Sequence, residues 1–131
     1  MRTKTLQSEL DYLAPDGSAI RELLNLEDRK GGLAHCVLPV GGVSAAQRHK
    51  TVGEIWYFVQ GLGQVWRKSA GEEREDCVVD VSPGRCLTIE PGEHLQFRNT
   101  GEEPLTLIIA TIPSWPGRQE AEVVEGRWQP E

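Results

Sequence analysis

Gly41-Gly42-Val43-Ser44-Ala45-Ala46-Gln47-Arg48-His49-Lys50-Thr51-Val52-Gly53-Glu54-Ile55-Trp56-Tyr57-Phe58-Val59-Gln60-Gly61 is the stretch that decides how this chain is read. Glycine turns close both ends, and two short runs of strand character lie between them. Gln47 and His49 are two residues apart, so on an extended strand their side chains share a face. Glu54 opens the next run after a short turn. A corner of this kind brings an imidazole, a carboxylate and an amide to one point. Imidazole and carboxylate are ligands for divalent Zn, Mn, Fe, Co or Ni. Over 54–60, alternation sets Glu54, Trp56 and Phe58 on one face and Ile55, Tyr57 and Val59 on the other. Both faces are largely apolar, as a strand covered on both sides requires. One side is then the interior of a small barrel, and a second subunit, making a homodimer, is the simplest cover for the other.

Outward from this corner, turn signals recur at short intervals, among them Pro15-Asp16-Gly17-Ser18, Pro39-Val40-Gly41-Gly42, Ser82-Pro83-Gly84 and Glu90-Pro91-Gly92. Between them the sequence predicts strands over 33–38, 47–50, 54–60, 64–68, 75–81, 85–89, 95–99 and 105–112. Strands at such spacing, without helices between them, indicate an all-β sandwich or barrel. The segment 18–26 places Ile20, Leu23 and Leu24 at helical spacing; a strand is the expectation, with a short helix as the alternative. Trp115 and Trp128 suggest that the tail packs on the barrel or on a second subunit. The expected organisation is one domain: an N-terminal extension over 1–32, a barrel over 33–112 and a packing tail over 113–131.

Composition narrows the function classes. At 131 residues the chain can bury one core. With 38% hydrophobic and 26% charged residues it is neither disordered nor fibrous. A formal charge of −6 without a basic cluster argues against nucleic acid or an anionic membrane as partner. No apolar run approaches the ~18 residues of a membrane span. The first residues lack an apolar signal-peptide core, and the three cysteines are odd in number with no C-x-x-C pair. A cytoplasmic protein with reduced, buried thiols at Cys36, Cys77 and Cys86 is the expectation. Glu72-Glu73-Arg74-Glu75-Asp76 reads as a solvated hairpin, Gly61-Leu62-Gly63 as a turn rather than a phosphate loop, and no Gly-x-Ser-x-Gly elbow is present.

The spacing Gly41, five residues, Gln47-x-His49, four residues, Glu54, six residues, Gly61 resembles the first motif of the cupin superfamily, with Gln47 in place of its first His. A second stretch, Gly84, five residues, Glu90-Pro91-Gly92-Glu93-His94-Leu95-Gln96-Phe97-Arg98-Asn99, resembles the second motif at Gly84, Gly92 and Asn99. There Pro is displaced by one residue, and Leu95 stands where the family has His. Glu54-Ile55-Trp56-Tyr57, Gln96-Phe97-Arg98-Asn99 and Pro113-Ser114-Trp115-Pro116-Gly117 are similar to a largely uncharacterised subgroup of small single-domain cupins. The resemblance implies a double-stranded jelly-roll barrel with its site at the barrel mouth.

The resemblance also implies a ligand set. Cupins bind metal through two His and a Glu of the first motif and a His of the second, positions held here by Gln47, His49, Glu54 and Leu95. Leu95 carries no donor, and Gln47 offers only an amide oxygen. His94 lies one residue out of register, and one residue on a strand turns a side chain to the opposite face; a distorted 91–94 loop would be needed to bring it in. The expected metal set is thus His49 and Glu54, completed by Gln47 or His94, for Mn, Fe, Ni or Zn. Trp56, Phe58 and Phe97, with Trp66, are the candidate substrate wall, and His35 is a further candidate ligand. Three functions follow: a divalent-metal enzyme of the dioxygenase or isomerase kind, a metal-free epimerase-like enzyme using His49 as base, and a non-catalytic ligand-binding or sensing barrel. In the metal-free case, His49 and Glu54 are expected to hydrogen-bond each other, with Gln47 or Arg48 as further partners for the carboxyl.

Overall fold

The computed structural model describes residues 1–71 and 75–131. The strands are β1 Tyr12–Leu13, β2 Ala19–Asn25, β3 Gly32–Leu38, β4 Gln47–His49, β5 Gly53–Gln60, β6 Gly63–Lys68, β7 Asp76–Val81, β8 Cys86–Ile89, β9 His94–Asn99, β10 Leu105–Ile112 and β11 Ala121–Val123. They form two antiparallel sheets, ordered β1-β2-β3-β10-β5-β8 and β11-β4-β9-β6-β7. Alternation packs the sheets together: one residue in two faces the other sheet, and most of those residues are apolar. Trp56, Phe58, Leu105 and Leu107 come from the first sheet, and Val65, Leu95 and Phe97 from the second, all buried. Trp56 and Phe97 meet edge to face across the gap, ring centroids 5.0 Å apart, a contact of about 1 kcal/mol beyond area burial. The architecture is the jelly roll that the two motifs imply.

The motif glycines have a backbone reason. Gly41, Gly61, Gly84 and Gly92 all take positive φ, which a side chain resists. At Gly61 a Cβ would also lie 2.7 Å from the Pro104 carbonyl oxygen.

The segment 18–26 is a strand. Ile20 pairs with Cys36 and Tyr12 across its neighbours, so tertiary pairing overrides the local helical spacing. The tail closes the edge of the second sheet: β11 pairs with β4. Beyond it, Gln96 donates to the carbonyls of Ser44 (2.9 Å) and Trp128 (2.7 Å) and accepts from the amides of Arg127 and Trp128. Arg98 lies 4.3 Å over the Trp128 ring. Trp66 stands opposite Gln96 on the outer face, with its indole N–H on Asp76, so it is no part of the interior.

One further expectation needs correction. Cys36 is buried, but Cys77 and Cys86 are exposed, because their strand positions face outward. The outer face of β5 stays open in the single chain: Ile55, Tyr57 and Val59 are 42%, 44% and 44% exposed. Of the charged run expected to be a solvated hairpin, residues 72–74 lie outside the described residues. Among the described residues no helix is long and apolar enough to cross a membrane.

Candidate functional site

The site is built where β4 turns into β5. Glu120, from the tail, holds that turn. Its carboxylate accepts from the amides of Thr51 and Val52, the latter at 2.7 Å, and from the Thr51 hydroxyl at 3.0 Å. Burial alone would raise its pKa; these donors and the nearby His49 bring it below the usual carboxylate range. Glu120 is therefore an anion that fixes the spacing between His49 on β4 and Glu54 on β5.

His49 and Glu54 are both buried and stand 4.0 Å apart, Nδ1 to Oε1. That is too far for the direct hydrogen bond expected between them. Glu54 Oε1 instead accepts the Trp56 indole N–H at 2.9 Å. Burial pushes the Glu54 carboxyl up to about 7; the Trp56 bond opposes this, and the negative charge of Asp16 adds to it. Burial pushes His49 down to about 4 against the pull of Glu120, so its imidazole is neutral at neutral pH. Gln47 Nε2 lies 3.5 Å from His49 Nε2, and Trp115 meets the imidazole edge-on at 5.0 Å. Among the described residues, Gln47 Oε1 and His49 Nδ1 are buried without a hydrogen-bond partner. Arg48 turns outward to Glu122 and is no partner for Glu54.

These groups line a cavity of about 60 Å³ at the barrel mouth, room for roughly four to six water-sized groups. Of the residues expected from sequence, Gln47, His49, Glu54, Trp56 and Phe97 line it. Phe58 does not; it is core beneath Trp56, ring centroids 6.1 Å apart. His94 does not either. It pairs with Arg48 and Lys68 on the outer face, while Leu95 pairs with Gln47 on the inner one. The displaced proline leaves the register of β9 intact, so nothing turns His94 inward. His35 points outward beside Arg21, and Tyr57 lies on the outer face of β5.

The sequence reading missed residues from both flanks. Asp16 and Glu22 enter from the N-terminal segment and Trp115 from the tail. Asp16 Oδ1 accepts from the Ser18 amide (2.9 Å) and hydroxyl (2.6 Å), an Asx turn that Pro15-Asp16-Gly17-Ser18 signals. Burial raises its pKa and the Ser18 bonds resist. The signal locates the turn but not the direction of its carboxyl. That direction depends on the Ala45 amide bonding the Asp16 carbonyl, a contact between distant segments.

The donor set does not fit a tightly held divalent metal. Leu95, fully buried, fills the place of the fourth ligand with a side chain that cannot coordinate. Among the described residues no three His, Cys, Asp or Glu side chains stand close enough to hold an ion. The buried orphan atoms Gln47 Oε1 and His49 Nδ1 show unused polar capacity, but one of them is a neutral amide oxygen.

The family described as the cupin domain matches residues 34–111. The uncharacterised protein MJ1618 of Methanocaldococcus jannaschii is 30% identical over 129 residues, covering 93% of this chain and 97% of that protein. Among solved structures, a predicted oxalate decarboxylase from Thermotoga maritima superposes with a TM-score of 0.67 at 21% identity, over 84% of this chain and 99% of that one. The capsular polysaccharide assembling protein CapF of Staphylococcus aureus gives 0.75 at 19%, over 95% of this chain but only 33% of CapF. The Schizosaccharomyces pombe Cnp3 cupin domain gives 0.65 at 14%, over 85% and 65%. At such identities these structures show the shared fold and no more. By the extent of the family match, and by the two sheets that carry its motifs, the chain belongs to the cupin family.

Proposed function

We propose that this chain is a small-molecule-binding cupin whose pocket works without a resident metal. The observation that carries this is the pair of buried, unpartnered atoms, Gln47 Oε1 and His49 Nδ1, on a cavity at the barrel mouth. An unsatisfied buried polar atom costs on the order of 1–3 kcal/mol, and a ligand that satisfies it recovers that cost. Glu54, held near neutrality by burial, is the group that would exchange a proton with what binds, and the neutral His49 beside it would accept one. The test is ligand-induced quenching of tryptophan emission, compared between the wild-type protein and Gln47→Leu/His49→Leu. Loss of response in the double variant, with its melting temperature retained, supports the pocket; equal responses overturn it.

A divalent-metal enzyme using His49, Glu54 and Gln47 is the competing reading; it would use the same two orphan atoms but lacks a third strong ligand among the described residues. Metal analysis of untagged protein separates the two. Stoichiometric Mn, Fe, Ni or Zn, lost in His49→Ala, would establish the metal enzyme. Metal-free protein whose melting temperature ignores added divalent ions supports the metal-free pocket. The open row Ile55, Tyr57 and Val59 supports a homodimer covering that face; Tyr57→Glu is expected to shift a dimer to monomer in sedimentation, and an unchanged monomeric wild type would exclude it.

A further inference from the structure

The charged side chains that line the cavity have one sign. Its lining includes three carboxyl groups, Asp16, Glu22 and Glu54, and no lysine or arginine. Asp16 and Glu54 are buried, and Glu22 Oε1 takes the Tyr12 hydroxyl at 3.3 Å. The nearby cationic groups are committed elsewhere: Lys4 donates to the Glu22 carbonyl at 2.7 Å and Arg2 to the Asn25 carbonyl, and neither lines the cavity. Arg67 shares the inner face with Leu95; its Nη1 donates to the Thr88 carbonyl at 2.9 Å, its Nε has no hydrogen-bond partner among the described residues, and it does not reach the lining. Arg21 is held by the carbonyls of Gln7 and Ser8, and Arg48 by Glu122. The imidazole of His49 carries no charge at neutral pH.

Buried carboxyl groups without a cation are held at a cost. The orphan Gln47 Oε1 adds a buried acceptor with no donor. Tyr12, Trp56 and Trp115 add aromatic rings to the same lining. An ammonium group answers each feature: it brings positive charge, three donors and no acceptor, and aromatic faces attract it and its alkyl stem. A bare divalent ion does not, because the strong donors do not converge. The volume sets the size at a handful of heavy atoms.

We propose that the cavity binds a small protonated amine and rejects a carboxylate anion of the same size. This rests on the small-molecule reading above and goes one step beyond it, to the class of ligand.

Three probes of matched size test it by calorimetry with tryptophan fluorescence in parallel: n-propylammonium, 1-propanol and propionate. The expected result is n-propylammonium binding at least about tenfold tighter than 1-propanol, with no saturable propionate binding. Glu54→Gln and Asp16→Asn are each expected to cut that preference several-fold while 1-propanol still binds; two separate carboxyl variants guard against one that fails to fold. If 1-propanol or propionate binds as tightly as the amine, or if both variants keep the preference, the inference is overturned and the small-molecule pocket stands. If none of the three binds, the inference and the pocket fall together.

Discussion

Replacing Glu54 by Gln should make the protein more stable above neutrality and leave it unchanged in mild acid. The folded carboxyl titrates near 7, against an ordinary 4.5. The folded state therefore holds a proton that the unfolded chain has already released between those two values. For a raised carboxylic acid, stability is lost as pH climbs from about 4.5 through about 7. The gap between 7 and 4.5, at 1.36 kcal/mol per pH unit, is about 3 kcal/mol. Gln keeps an oxygen for the Trp56 indole and never ionises, so Glu54→Gln escapes that loss. His49 works with the opposite sign. Its folded value near 4 lies below the ordinary 6.5, so its contribution is lost as pH falls through that window. In the wild type the two slopes nearly cancel between about pH 4.5 and 6.5. The Glu54→Gln variant should expose the rising slope of His49 alone. Urea unfolding followed by tryptophan fluorescence, at about pH 5 and about pH 8, reads the difference between variant and wild type, from which Glu120 drops out as a common term; Asp16, whose charge acts on Glu54, is relieved with it and adds in the same direction. A difference that stays constant across this range would refute the reasoning, because it would mean that Glu54 is solvated or paired in the folded state.

Glu120→Ala removes every hydrogen bond from the tail carboxylate to the 51–52 turn and should cost about 2–4 kcal/mol, read by urea unfolding, with Glu120→Gln recovering part of it. Leu107→Ala, in the fully buried core, should cost about 2–5 kcal/mol by the same assay. His94→Ala should leave pocket binding unchanged, since it lies outside the cavity; a binding loss would show that β9 is rotated from the register described. A thiol reagent should label Cys77 and Cys86 in the native protein and Cys36 only after unfolding, because burial raises the Cys36 thiol and hides it.

The barrel was legible because its signals are local. Alternation over 54–60 names the inward residues, and glycine at positive φ fixes where each hairpin turns. The barrel strands from 32 to 112 lie within a residue or two of their expected limits. Register on β9 was legible too: with Leu95 inward, His94 must face out. The site was legible only in part. Phe58 and Trp56 share a face, yet only Trp56 reaches the cavity, because depth along a barrel axis is not encoded in alternation. The hydrogen bond between His49 and Glu54 failed for a different reason. Two residues that must face one space need not be within reach of each other, and Trp56, two positions along the same strand, is closer to the carboxyl.

The remainder of the pocket comes from outside the matched family region. Residues 34–111 supply His49, Glu54 and Gln47 to it, with Leu95 paired beside Gln47 and outside the lining. On that set alone, one imidazole and one carboxyl sit beside a leucine, and the barrel mouth looks like a metal centre with half its ligands removed. Asp16, Glu22 and Trp115 reach the same cavity from the flanks, and Glu120 fixes its turn. Their arrangement is costly to build if the cavity has no occupant: an Asx turn buries one more carboxyl, and an indole closes over the imidazole. A leucine at position 95 and the presence of these flanking groups therefore bear on one question. A jelly roll that gave up coordination without replacing it would fill its mouth with apolar side chains, which cost less to bury than Asp16 and Glu54 do. This one holds acidic groups inside a largely apolar hollow, so the chemistry of its occupant should be sought in the flanking segments as much as in the family motifs.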